Sequence, residues 1–109
     1  MDSVESLIER RAVKLVHKEF GIVGSKLQVK GDDGYPDRIF WMPNGKPFLV
    51  EYKREGCKLR PKQEIIHQRL LKLGYDVEVH YASDDTVLAV KRRMEAARIS
   101  ESGVKTPTK

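Results

Sequence analysis

Two short β-prone runs around a turn signal constrain this chain more than any other feature. Asp37 to Met42 (Asp-Arg-Ile-Phe-Trp-Met) and Phe48 to Lys53 (Phe-Leu-Val-Glu-Tyr-Lys) are rich in β-branched and aromatic residues and flank Asn44-Gly45, which predicts an antiparallel hairpin. Side chains alternate along a strand, so Glu51 and Lys53 share a face with Leu49, while Phe48, Val50 and Tyr52 point the other way. Where Asp37 falls depends on the turn. A two-residue loop at Asn44-Gly45 sets Asp37 opposite Tyr52, away from Glu51; an odd-length or bulged loop sets it opposite Glu51. Pro43 and Pro47 lack the donor N–H that a tight ladder needs at the tip. The sequence therefore predicts an odd-length or bulged connection and two facing carboxylates.

Directly opposed strand residues have Cβ atoms about 4.5–5.5 Å apart, so the two acids repel unless a cation lies between them. Mg²⁺ suits such a pair, because it takes oxygen ligands, keeps several waters and is held by one or two carboxylates plus substrate phosphate. The main-chain carbonyl of Tyr52 is a further candidate ligand. A divalent ion there lowers the pKa of bound water and offsets charge on a phosphate, and Lys53 is placed to orient the attacking water or stabilise the extra negative charge. Two carboxylates and an amine at this spacing suit metal-assisted phosphodiester cleavage. Each part has a plainer reading alone: Glu-x-Lys as a solvated charge pair, Pro36-Asp37 as a turn. Their combination across an apolar hairpin, followed by a basic segment, favours the chemical reading.

The charge distribution points to the same class of substrate. The 109-residue chain carries a net charge of +5, and that excess lies between Lys53 and Lys72, where seven basic residues face two acids, Glu55 and Glu64. Neutralised phosphates supply most non-specific nucleic-acid affinity, so Arg54, Lys58, Arg60 and Lys62 are candidate DNA contacts. A solvated helix face is the alternative for such a run, and the start of the run at the strand that carries Glu51 tips the choice toward nucleic acid. Cys57 is the only cysteine, which excludes an internal disulfide and a cysteine-rich zinc site. No apolar run reaches membrane-spanning length and no signal-peptide pattern is visible, so a cytoplasmic protein is expected. His17, His67 and His80 form no metal-ligand or triad pattern; His67 reads as a helix-surface or partly buried residue. Trp41 and Tyr35 are candidates for stacking on a base, although core packing is the commoner fate of such residues on a hairpin.

The remaining chain reads simply. Asp2-Ser3-Val4-Glu5 resembles a capping box, followed by Val4, Ile8, Ala12, Leu15, Val16 and Phe20 at helical spacing up to Gly21. Residues 25–29 read as a strand. A second helix starts at Pro61 with Ile66, Leu70 and Leu73 as its buried stripe, stops at Gly74 and places Gln63 in its first turn. Val77, Val79 and Tyr81 alternate as a fourth strand, and Ser83 opens a last helix to about Ile99. Residues 100–109 read as a disordered basic tail behind a single domain over residues 1–99. The order is αβββαβα, and a helix between the third and fourth strands makes the expected sheet mixed.

Taken together, Gly34-Tyr35-Pro36-Asp37-Arg38, Asn44-Gly45, Phe48-Leu49-Val50-Glu51-Tyr52-Lys53, Leu59 and Gln63 resemble the virus-type replication-repair nuclease (VRR-NUC) domain of the PD-(D/E)XK nuclease superfamily, from about Glu5 to Val90. The resemblance implies an α/β restriction-endonuclease-like core and an Mg²⁺- or Mn²⁺-dependent endonuclease. It implies Asp37, Glu51 and the Tyr52 carbonyl as metal ligands, Lys53 as the catalytic lysine and a supporting role for Gln63. It further implies a first-helix glutamate that reaches the metal through water: Glu9 by its distance to the following glycine, or Glu5 one turn earlier. Many relatives have a basic loop before Pro-Asp, whereas this chain has Asp32 and Asp33. Stand-alone members resemble phage or prophage proteins that act as homodimers on branched DNA, including four-way junctions, in the host cytoplasm. A sequence-recognising restriction-type nuclease and a non-catalytic DNA-binding protein are the alternatives; the short chain and the intact acid-lysine set count against them in turn.

Overall fold

The structure, a computed structural model, describes residues 2–104, excepting the side chains of residue 44 and residues 99–104. Helix α1 (Val4–Phe20) is followed by strands β1 (Gly24–Lys26), β2 (Arg38–Phe40) and β3 (Phe48–Tyr52), helix α2 (Pro61–Lys72), strand β4 (Asp76–His80) and helix α3 (Ser83–Val104). The strands form one mixed sheet in the order β1-β2-β3-β4, with the first two pairings antiparallel and β3-β4 parallel. The crossover carried by α2 is what makes the last pairing parallel.

Three layers result. On one side of the sheet, α1 and α3 cover Phe40, Phe48, Val50 and Tyr52, which with Ala12, Val16, Ile22, Met42, Ala89 and Val90 make the core. On the other side lies α2, whose Gln63 side chain reaches Glu51. Strand β3 is buried at every residue, as a central strand covered on both faces must be. Consequently any charge it carries is taken out of water. No helix among the described residues is long and apolar enough to cross a membrane.

Several sequence expectations need correction. Ser3, not Asp2, caps α1, accepting the Ser6 N–H at 3.1 Å, because helical geometry begins one residue later than a capping box on Asp2 requires. The first strand is shorter than residues 25–29: Leu27 still donates to the Asp37 carbonyl, but Val29 only bridges to Asp32 around Gly31, whose φ of 80° is open to glycine. The α2 stripe runs out of cover, with Ile66 buried and Leu73 68% exposed. Trp41 is also outside the core, 55% exposed and tied to the Ser25 hydroxyl through its indole N–H. Helix α3 continues past Ile99 to Val104, since neither glycine nor proline occurs between Ser83 and Ser102. The expected tail thus loses its first half to the helix, and residues 105–109 lie outside the described residues.

Candidate active site

The hairpin register settles the position of Asp37. Arg38 pairs with Val50, Ile39 with Leu49 and Phe40 with Phe48, leaving a seven-residue connection, 41–47, that contains a 3-10 turn over Pro43–Gly45. The connection is odd in length, as the two prolines suggested, and extending the register by one residue sets Asp37 against Glu51. The Lys53 N–H donates to the His80 carbonyl of β4, so the backbone of Glu51, two residues earlier, also faces β4 and not β2. Asp37 and Glu51 therefore form a non-hydrogen-bonded pair, the class in which opposed side chains come closest. At this end of the sheet β2 has run out, and the Tyr52 N–H donates to Asp37 Oδ2 at 2.8 Å. The carbonyl of the same residue lies on the same side of its strand, next to the two acids.

Helix α2 furnishes the partners of Glu51. Gln63 stands in its first turn, where its Oε1 accepts the N–H of Arg60 at 2.8 Å. That bond fixes the amide's orientation and leaves Nε2 to donate to Glu51 Oε2 at 3.2 Å. One helical turn later His67 brings Nε2 to 3.7 Å from Glu51 Oε1, and both side chains are about 5% exposed. Neither Oε1 nor Nε2 has a hydrogen-bond partner among the described residues. His67, expected at the helix surface or partly buried, is thus fully buried beside the acid; its spacing from Gln63 (i, i+4) was the available signal.

Close approach of the preceding loop to α2 depends on Gly34. A Cβ there would stand 2.9 Å from Ile66 Cγ1 and 3.0 Å from the Lys62 carbonyl oxygen, so any side chain would push apart the Tyr35-Pro36-Asp37 segment and the turn that carries Gln63. Burial raises the pKa of Asp37 from 3.8 to about 6; the Tyr52 N–H opposes this, and the negative charges of Glu51 and Glu9 add to it. Glu9 is the first-helix acid within reach. It is buried and held by Arg38 Nε at 2.6 Å, and Arg38 donates also to the Gly24 carbonyl. Glu5 keeps other company: Arg54, raised first by Cys57, is raised further by Glu5.

Lys53 hangs from the face of Glu51, half-buried, and makes no ion pair among the described residues. Arg54 and Lys58 are exposed. Arg60 and Lys62 are already engaged: Arg60 lies 3.5 Å from Asp33 Oδ2, and Lys62 Nζ lies 3.5 Å from Asp32 Oδ1 and 3.4 Å from Asp33 Oδ1. The acidic loop that replaces the basic one therefore folds onto two of the four candidate DNA contacts. Beside it an open groove of about 750 Å³, lined by residues 27–33 with Tyr35, reaches Asp37.

Among the described residues no three His, Cys, Asp or Glu side chains gather into a metal-binding cluster. What the site offers is two carboxylates and a main-chain carbonyl, a hard-oxygen set suited to an ion that retains waters. The buried, unpartnered Glu51 Oε1 and the nearby Glu51 charge, which adds to burial in raising Asp37, both call for positive charge at this point, so the residues fit a divalent cation.

A mixed αβββαβα sheet with a Pro-Asp and a Glu-x-Lys meeting at one strand end defines a nuclease-type core. The VRR-NUC domain model matches residues 4–84, and the chain belongs to the VRR-NUC domain family. It is 40% identical over 80 residues, 73% of this chain and 85% of the relative, to a protein of Acyrthosiphon pisum secondary endosymbiont phage 1 named "Putative nuclease p44". A solved VRR_NUC domain structure superposes with a TM-score of 0.72 at 27% identity, covering 83% of this chain and 97% of that one.

Proposed function

We propose that the protein is a metal-dependent DNA endonuclease that hydrolyses phosphodiester bonds, with Asp37, Glu51 and the Tyr52 carbonyl holding Mg²⁺ or Mn²⁺. The observation that carries this reading is an acid pair, Glu51 buried and Asp37 half-buried, in which Glu51 Oε1 has no hydrogen-bond partner among the described residues, two residues from a lysine that makes no ion pair among them. Family membership and the phage relative's name support nuclease activity.

Each residue has a task in the reaction. Asp37 and Glu51 hold the cation, which when bound polarises the scissile phosphate and lowers the pKa of a water. Gln63 keeps Glu51 in one orientation, because its own amide is fixed by Arg60. Lys53, on the same strand face, orients the attacking water or meets the charge that builds on the phosphate. Glu9, whose position Arg38 sets, would support the ion from α1 through water. Arg54, Lys58, Arg60 and Lys62 grip the DNA backbone on either side.

The substrate we propose is branched DNA, including four-way junctions, cut by a homodimer whose two sites act on opposing strands. The test is cleavage of labelled duplex, flap and junction DNA with Mg²⁺, Mn²⁺ or chelator, together with light scattering. Metal-dependent incision of junctions by a dimer is the expected result. Cutting that persists in chelator removes the mechanism, and equal cutting of plain duplex removes the branch preference.

A further inference from the structure

Glu51 is served asymmetrically. One of its oxygens accepts a hydrogen bond from Gln63, while the other faces His67 Nε2 at 3.7 Å, too long for a direct bond. Both Oε1 and Nε2 are buried without partners, and leaving a buried polar atom unsatisfied is costly. Folding has thus buried an imidazole and a carboxylate oxygen side by side, neither of them hydrogen-bonded among the described residues. Gln63 and His67 lie one turn apart on the same face of α2, so the helix presents a donor to each oxygen of one carboxylate. Ligating carboxylates are in turn hydrogen-bonded, and those outer partners tune affinity. A carboxylate has about four lone-pair sites, which leaves Glu51 free to accept both donors and still bind a cation.

We infer that His67 is a positioning residue for Glu51: its Nε2–H closes onto Oε1 when a divalent cation is bound, and with Gln63 locks the carboxylate in the ligating orientation. This rests on the metal reading given above. The imidazole touches neither substrate nor cation, and its contribution is felt through Glu51. Deleting it therefore weakens cation binding without a matching loss of fold, because a buried polar atom that lacks a partner stabilises nothing in the cation-free protein.

The test is calorimetric titration of the full chain with MgCl₂ and with MnCl₂, alongside melting temperatures with and without metal, for wild type, His67→Leu and His67→Gln. The expected result is a loss of affinity in His67→Leu of about 10- to 100-fold, similar for both ions, with a metal-free melting temperature equal to or above that of wild type. His67→Gln restores a donor and recovers part of the affinity. Unchanged affinity in His67→Leu overturns the inference, as does a loss confined to Mn²⁺, which would make the imidazole a direct ligand. Should His67→Leu fail to fold, His67→Gln decides alone, with wild-type affinity for both ions or a loss confined to Mn²⁺ counting against the inference and a smaller, even loss for it. If wild type takes up neither ion, the metal reading itself falls, a result distinct from failure of the His67 role.

Discussion

The two faces of β3 treat buried polar groups in opposite ways. Toward α1 and α3, the Tyr52 hydroxyl pairs with Thr86 Oγ1 at 3.0 Å, Thr86 with His80 Nδ1 at 2.7 Å and His80 Nε2 with Glu78 at 2.8 Å. Arg93 then joins Glu78 to both oxygens of Asp76 and stacks over Phe48. Burial pushes Glu78 upward, yet its bonds to His80 and Arg93 prevail and hold its carboxyl below the ordinary value. Toward α2, one residue away along the strand, Glu51 and His67 are equally buried and each has an atom with no partner. A satisfied network specifies and stabilises the fold; an unsatisfied one stores interaction capacity for something that arrives later. On the proposed function the same strand divides its work, with structure on one side and chemistry on the other.

That division is broken most directly by substitutions on the α2 side that remove cleavage and spare the fold. Glu51→Gln and Lys53→Ala are expected to cut the single-turnover rate on junction DNA by at least about 10²–10³-fold, the scale set by losing one preorganised electrostatic partner, while both variants melt within a few degrees of wild type. Unchanged rates in both would erase the distinction between the faces.

Thr86→Val probes the other side. It leaves the Tyr52 hydroxyl and His80 Nδ1 buried without their shared partner, at about 1–3 kcal/mol each, which for a domain of this size lowers the melting temperature by roughly 10 °C or more. Cation affinity by calorimetry should stay at the wild-type value. A fall in affinity as large as that of a site variant would show that the two faces are coupled.

Asp37→Asn sharpens the contrast, because here a site residue works against stability. Its folded pKa, about 6, exceeds the ordinary 3.8, so the folded state binds protons more tightly and loses stability as pH rises from about 4 to about 6. Roughly two pKa units correspond to at most about 3 kcal/mol. The metal-free Asp37→Asn variant is therefore expected to melt higher than wild type at pH 7 and to match it near pH 4, while losing cleavage. Differential scanning calorimetry at the two pH values checks both; a lower melting temperature at pH 7 would mean that Asp37 is a structural acid.

How far the sequence alone could see follows the same line. Strand alternation and two prolines were enough to predict an odd connection, hence Asp37 opposite Glu51, because strand period and register are local rules. Gln63 was legible for a related reason: proline at a helix start fixes where the first turn lies. His67 was only half legible: its i, i+4 spacing from Gln63 marks a shared helix face, but nothing in a lone histidine on a mostly polar helix says which neighbours cover it. The Arg38–Glu9 pair was not legible, since it joins residues twenty-nine apart through the way α1 lies on the sheet. The boundaries of α1, β1 and α3 shifted by a few residues because helix and strand ends depend on caps and tertiary cover more than on composition.

The smallest expected effect concerns the acidic loop, where the sequence showed only that Asp32 and Asp33 stand in place of a basic loop. In the fold they do more: Asp33 is held below its ordinary pKa, first by Lys62 and then by Arg60, and both acids lie within 3.5 Å of one or both of these cations. These pairs contribute little to stability, yet they place carboxylates against the two cations proposed to contact DNA phosphates. DNA must displace them to gain Arg60 and Lys62 as contacts. Replacing both acids with asparagine removes that competition, and the expected outcome is DNA binding tighter by several-fold at moderate salt, with a dependence of log K on log salt concentration that steepens by about one to two units. Fluorescence anisotropy across a salt series measures both quantities. Equal affinity and an equal slope would mean that DNA approaches from the Arg54 and Lys58 side, leaving the loop and the start of α2 outside the interface.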